Sequence, residues 1–287
     1  MKASKTQKLP ITLVMCVYNE EKIIEKALKS TIDYVSEIVV VHDGPCSDKT
    51  GEIVKKYGGT FVETKKNKGE AEFIRIRSYN LASQKYILQL DADEYLTPDL
   101  QSILDEAVKT DADFITVNWA NYRNGKIVRT LLKRPFLFKA NKIYFIECPH
   151  ESVRPKKDAT LKNYDMDLFN DADDRYKNQK ELDKQQLIKQ AKWVAPHAEA
   201  LLKYSDLRRY GVDDINYRGS LFNELMASNM YRLHTILTIP ILISSANLAA
   251  YLKMKRIRPL FFIPNSYITI KYYRDLSKMI TYLRSKH

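Results

Sequence analysis

Asp-Ala-Asp triplets recur three times in the chain, at residues 91–93, 111–113 and 171–173. Recurrence makes the triplet uninformative by itself, so context has to separate the three. Only the first follows directly on an apolar run, Tyr86-Ile87-Leu88-Gln89-Leu90, whose length suits a buried strand. Carboxylates gathered at a buried strand end repel each other and lose hydration, which costs free energy unless a cation or hydrogen-bond donors offset it. A hard divalent cation, Mn2+ or Mg2+, held by one or two carboxylates and by substrate phosphate oxygens, meets that need. It also neutralises charge that develops on a diphosphate leaving group. A solvated capping turn is the competing account. The second triplet precedes a strand-like run and the third lies in a charged stretch, so both read as ordinary turns.

Other strand ends decide for chemistry at the first triplet. Apolar runs at 11–17 and 37–41 alternate with helix-like stretches at 21–34 and 48–57, the rhythm of a parallel α/β sheet. A short strand at 61–63 follows the Gly58-Gly59 turn, and 69–83 is helix-prone. Thr97-Pro98 reads as cap and first position of a helix over 99–109, before a strand at 114–119. Tyr18-Asn19-Glu20 closes the first strand and Asp43 the second. In a parallel sheet these fall on the same edge as Asp91 and Asp93, where open α/β folds hold ligands. Packing does not explain that convergence.

The ordered set Val17-Tyr18-Asn19-Glu20-Glu21, Ile38-Val39-Val40-Val41-His42-Asp43-Gly44 with Asp48-Lys49-Thr50, and Leu90-Asp91-Ala92-Asp93-Glu94 resembles family 2 glycosyltransferases of the GT-A fold. The resemblance is strong over 11–104 and weakens towards residue 154. It implies a Rossmann-like, mainly parallel sheet with flanking helices, and inverting transfer of a sugar from a nucleotide donor, UDP- or GDP-linked, to a glycan or lipid-linked acceptor of the cell envelope. Carried over by position, Glu20 and Asp43 would meet the nucleoside, with Tyr18 and Ala92 beside the nucleotide. Asp91 would lie on the ribose side and Asp93 on the metal, with Asp91 as its second candidate ligand. Arg77, with Arg75 as rival, stands where the family often has an arginine near the nucleotide. Departures are His42, in place of an aspartate, and Pro45-Cys46 in place of small polar residues.

Inverting transfer needs a base for the acceptor hydroxyl. Glu151 is the first candidate and His150 the second, against the alternative that one caps a turn and the other is solvated. His197, beside Pro196, reads as structural.

At 287 residues and 33.5 kDa the chain suits one catalytic unit and an appendage. We expect a catalytic domain over 1–200, with a charged helical insertion at about 154–192, and a helical, basic and apolar region over 201–287. Three scattered cysteines fit a reducing compartment, and the N-terminus lacks a signal-peptide pattern. The net charge of +12 calls for a polyanionic partner. Nucleic acid is disfavoured, because acidic residues crowd the ligand edge and no binding motif is present. Residues 233–252 carry no Lys, Arg, Asp or Glu, and Lys253, Lys255, Arg256, Arg258 and Phe261-Phe262 follow. Dilution by His234, Pro240 and Asn247 favours a helix lying on an anionic membrane over one that spans it, with a buried helix pair as the alternative. The expected location is the cytoplasmic face of a membrane, peripherally. A nucleotidyltransferase is the rival enzyme class, but 18–21 lacks a Gly-rich phosphate loop. A non-catalytic membrane-bound relative is the other rival.

Overall fold

A computed structural model describes residues 8–67, 69, 71–123, 126–145, 153–170, 179–209, 225–243 and 262–286. The chain divides into two compact units, Met1–Glu147 with Ser152–Arg175, and Cys148–Glu151 with Tyr176–His287.

The first unit begins with β1 (Leu9–Val17), α1 (Ile24–Thr31), β2 (Val35–His42), α2 (Thr50–Lys56), β3 (Thr60–Glu63), α3 (Glu72–Leu81) and β4 (Tyr86–Gln89). Both alternating residue sets of β1 are largely buried, Thr12 being the one polar side chain among them, so both faces are covered. Ile11, Leu13, Met15 and Val17 share a core with Ile24 and Leu28 of α1, while Val14 shares one with Ile74 and Tyr79 of α3. The strands β3, β2, β1 and β4 are neighbours in that order and all parallel, so their carboxyl ends lie along one edge.

The rest of the sheet is mixed. After β5 (Glu94–Tyr95) and α4 (Pro98–Lys109) come β6 (Phe114–Arg123) and β7 (Lys126–Lys139). The Thr97 side chain accepts from the Leu100 amide, capping α4 as its Thr-Pro start implies. The strand β7 pairs antiparallel with both β4 and β6, and so separates β6 from the parallel half. A small ribbon of β8 (Ile143–Tyr144) and β9 (Arg154–Pro155) follows, then β10 (Leu161–Asn170), parallel to β6 and capped at the edge by β5.

One expectation is borne out and extended, and one is corrected. The strand foreseen at 114–119 is half of a long antiparallel pair whose partner, β7, was not anticipated. Asn124-Gly125, the strongest short hairpin signal, stands between the two in the sequence. The stretch 154–192 is not one helical insertion, because 161–170 forms β10 of the main sheet. Tyr164, Met166 and Leu168 alternate among polar residues and face the main core, a period-two pattern hidden by the local charge.

The second triplet lies at the opposite edge from the first. Asp111 accepts from Tyr86 Oη at the start of β4 (2.7 Å) and pairs with Lys85 and Lys139, and Asp113 pairs with Lys139 at 2.7 Å. Hydrogen bonds from Lys85, Tyr86 and Lys139 hold the Asp111 carboxyl well below the usual range.

In the second unit, α5 (Gln179–Arg209) packs with the last helix. A short helix α6 (Tyr231–Leu233) leads into a π-helical turn at His234–Thr238, and α7 (Phe262–Arg284) is that last helix. His197 is fully buried, with Nδ1 2.6 Å from Tyr272 Oη.

Because Leu168 is fully buried in the main core, Leu168→Ala should lower unfolding stability by about 2–5 kcal/mol in denaturant titration. A loss under about 0.5 kcal/mol, as at a surface position, would contradict the placement of β10.

Candidate active site

The ends of β1 and β2 hold each other. His42, the last residue of β2, is fully buried; its Nε2 accepts from the Asn19 amide at 2.9 Å, and its Nδ1 donates to the Gly44 carbonyl at 2.7 Å. Acceptance at Nε2 places the ring proton on Nδ1. Asn19 is left-handed, with φ +51°. Its side chain accepts from the Ser47 amide (3.0 Å), the Glu20 amide donates to Thr50 Oγ1 (2.7 Å), and the Glu21 amide donates to Asp48 (3.1 Å). The Lys49 amide returns a bond to Glu21 at 3.0 Å. Burial opposes ionisation of Asp48, but donors from Thr50 and Glu21 outweigh it and hold the carboxyl low. Gly44 has φ +90° and donates to Thr64 Oγ1 at 2.6 Å; a Cβ there would come 2.8 Å from the Asn67 backbone nitrogen. Only glycine fits. Asp43, buried, accepts from the Gly69 amide at 2.7 Å.

At the end of β4 the carboxylates are compensated from within. Asp91 Oδ2 accepts from Arg134 Nη2 at 2.9 Å, and Asp91 Oδ1 lies 3.5 Å from Arg75 Nη2. Arg134 also donates to both oxygens of the fully buried Glu94, at 3.2 and 3.1 Å, and the Asp91 amide donates to Glu94 at 2.8 Å. Gln89, with its amide oxygen turned to the arginines, accepts from Arg75 Nη1 and Arg134 Nη1, each at 2.8 Å, and its nitrogen donates to Tyr79 Oη. Burial works against the Asp91 charge, yet Arg134 and then Arg75 outweigh it and keep this carboxyl below its ordinary range. Burial dominates at Glu94 and pushes it up to about 7 in spite of Arg134. The Arg134 guanidinium also lies 5.7 Å from the Trp119 ring, within cation–π range.

Between these two ends opens a cleft of about 1230 Å³ whose wall includes Asn19, Glu20, Asp48, Ala92, Asp93 and Tyr95. Glu20, Ala92 and Asp93 thus meet around one space. Tyr18 stands beside it, 52% exposed, with its ring 5.6 Å from that of His42. Of the two arginines on α3, Arg75 is buried against Asp91 and Arg77 is exposed. His150 and Glu151 lie outside the described residues. Among the described residues, no three His, Cys, Asp or Glu side chains are grouped to hold a metal ion by themselves.

The sequence profile described as glycosyl transferase family 2 matches residues 12–164, more than half of the chain, and spans both loops and the Asp91 turn. The chain belongs to family 2. The parallel half-sheet with its flanking helices and mixed extension is the GT-A arrangement of these glycosyltransferases. Solved structures of S. aureus TarS also align. One is 16% identical, covers 91% of this chain and 55% of its own, and has a TM-score of 0.47. TarS 1–349 with UDP is 15% identical, covering 97% and 92%, at a TM-score of 0.46. The same segment with UDP-GlcNAc is 16% identical, covering 97% and 93%, at 0.45. The chain thus spans about 55% of the length of the first of these. No curated protein matches the chain.

In this family 2 chain, Arg134 and Glu94 complete the turn; Glu94 is part of the motif but has no role assigned from sequence, and Arg134 is not singled out there. Their signal is an arginine at the head of an apolar run, Arg134 before Pro135-Phe136-Leu137-Phe138, and a carboxylate next to the triplet. Removing the arginine leaves buried, uncompensated charge, so Arg134→Met should cost about 3–5 kcal/mol. Arg134→Lys keeps the charge but cannot span Asp91, Glu94 and Gln89 at once, and should lie between Met and wild type in thermal melts. Equal melting points for all three proteins would refute the compensating role.

Proposed function

We propose that the chain transfers a sugar, with inversion, from a UDP- or GDP-linked donor to a hydroxyl of a glycan or lipid-linked acceptor of the cell envelope. The observation that carries this reading is the convergence of Asn19-Glu20 and Ala92-Asp93 on one cleft at the carboxyl edge of the parallel strands, within a family 2 chain. Glu20 and Asp43, with Tyr18, would take the nucleoside, and Asp91 the ribose side. Arg75, already on Asp91, is better placed than Arg77 to order that contact.

A Mn2+ or Mg2+ ion fits these residues if the donor supplies most of its ligands. Both Asp91 oxygens are engaged by guanidinium groups, and Glu94 is buried on Arg134. Asp93 lies on the cleft wall and is the first candidate for the ligand, with Asp91 the second. One carboxylate plus phosphate oxygens and water is an ordinary magnesium environment. The ion, when bound, offsets the charge of the departing nucleoside diphosphate. Glu151, or His150, would take the acceptor hydroxyl proton as that oxygen bonds the anomeric carbon and the bond to the diphosphate breaks. For the acceptor side, we place the protein peripherally at the cytoplasmic face of an anionic membrane. The alternating charge-free and basic segments of 233–258 support this placement.

The test is a thermal-shift panel of UDP-, GDP-, CMP- and dTDP-sugars with and without Mn2+. A metal-dependent rise with one nucleotide is expected, since a ligand that binds only the native state raises its melting point. Asp93→Asn should remove the metal-dependent part and slow transfer on the order of 100-fold, with the fold intact. An unchanged rate would sink the assignment.

A further inference from the structure

The segment around α6 is apolar on both sides. Tyr231, Thr235, Ile239 and Ile243, spaced by four, are buried. Tyr231 is pinned there: its Oη lies 2.7 Å from Thr281 Oγ1 of α7, and the Arg284 guanidinium sits 4.8 Å over its ring. The core-facing side is therefore already assigned. On the other side Ile236 is 71% exposed, Ile241 66%, Met230 56%, Leu237 53% and Leu233 45%. Isolated exposed aliphatic residues are common; five large ones within twelve positions of one helical segment form a patch that marks an interaction surface.

The charge around this patch identifies its partner. From residue 225 to residue 274 the sequence contains no Asp or Glu, and over 225–287 ten Lys and Arg face a single acid, Asp275. That acid is engaged by Lys271 at 2.6 Å. Arg232 lies within the patch segment, exposed, and Lys253, Lys255, Arg256 and Arg258 follow it in sequence. A second copy docking here would bring two strongly basic surfaces together. Nucleic acid would meet the charge but leave the aliphatic side chains in water. An anionic bilayer satisfies both, taking apolar side chains below its headgroups while the headgroups meet lysine and arginine. No helix among the described residues is long and apolar enough to cross a membrane.

We propose that the face formed by Met230, Leu233, Ile236, Leu237 and Ile241 enters the interface of an anionic lipid bilayer. This rests on the peripheral-membrane reading above and names the surface that carries it; it is independent of the donor chemistry.

The test is sedimentation of the full chain with phosphatidylcholine vesicles containing phosphatidylglycerol, and with phosphatidylcholine vesicles alone. Wild type should bind the anionic vesicles, weaken with salt, and bind the neutral ones poorly. The triple variant Ile236→Ser, Leu237→Ser, Ile241→Ser changes only exposed positions. It should lose partitioning roughly tenfold or more, with an unaltered melting point and an unaltered thermal response to donor nucleotide. If wild type binds and the triple variant binds equally well, the face is wrongly assigned while the membrane reading stands. If wild type ignores anionic vesicles, both fail, whatever nucleotides do in the thermal panel. If the face instead holds a dimer in size-exclusion chromatography, which the triple variant dissolves without vesicle binding in either protein, the surface belongs to a second copy and the proposal is overturned.

Discussion

The guanidinium of Arg134, buried among carboxylates, is the constraint on which the Asp91 turn depends. Two carboxylates, Asp91 and Glu94, sit at the end of a strand whose four residues are buried, and neither could stay ionised there without a compensating charge. Arg134 and Arg75 supply it, and Gln89 ties the two arginines to each other and to Tyr79. Two guanidinium groups face an ionised Asp91 and a Glu94 that burial leaves partly protonated near neutrality, and their hydrogen bonds can order the turn before any ligand arrives. Preorganisation of this kind is what a site for a diphosphate and a cation requires, since groups that must rearrange on binding spend affinity in doing so.

Arg134 also gives the mixed half of the sheet a reason in the site. It comes from β7, which pairs with β4 from Tyr86 to Leu88, so the antiparallel strand carries its arginine past the carboxyl end of β4. The parallel strands place the loops, and β7 supplies the charge that one of those loops needs. The loops after β1 and β2 are held differently, by bonds from backbone amides to the neutral side chains of His42, Asn19 and Thr50 and to the Asp48 carboxylate. The histidine that departs from the family pattern is thus a strut between two loops, with both ring nitrogens occupied by backbone. A buried ion-pair cluster and a network of backbone amides meet at one cleft wall.

The parallel half was legible in the sequence because its strands are uninterrupted apolar runs with polar ends, and the order of those ends implied a shared edge. The mixed half was harder to read. The strand β7 carries charged residues at Lys126, Arg129, Lys133 and Arg134, which mask its strand character, and β10 hides its alternation among Lys162, Asp165 and Asp167. The choice between Arg75 and Arg77 was open to a closer reading. Ile74, Arg75, Ser78 and Tyr79 are buried together on α3 at spacings of three and four, and Arg77 falls outside that stripe. Arg134 could not have been matched to Asp91 from sequence, because their partnership depends on a strand order that local pattern does not encode.

Net charge, read over the whole chain, pointed only to some polyanion. Resolved along the sequence it says more, because residues 225–287 hold nine of the twelve net positive charges and leave residues 1–224 close to neutrality. The cleft wall carries Glu20, Asp48 and Asp93 beside Lys22, Lys26 and Lys29, so charges of both signs face a ligand there. The proposed attraction to an anionic surface and the proposed recognition of the donor thus fall to different parts of the chain. Screening by salt would weaken the first far more than the second, since exposed lysines and arginines are shielded within a Debye length while the buried Arg134 cluster is not.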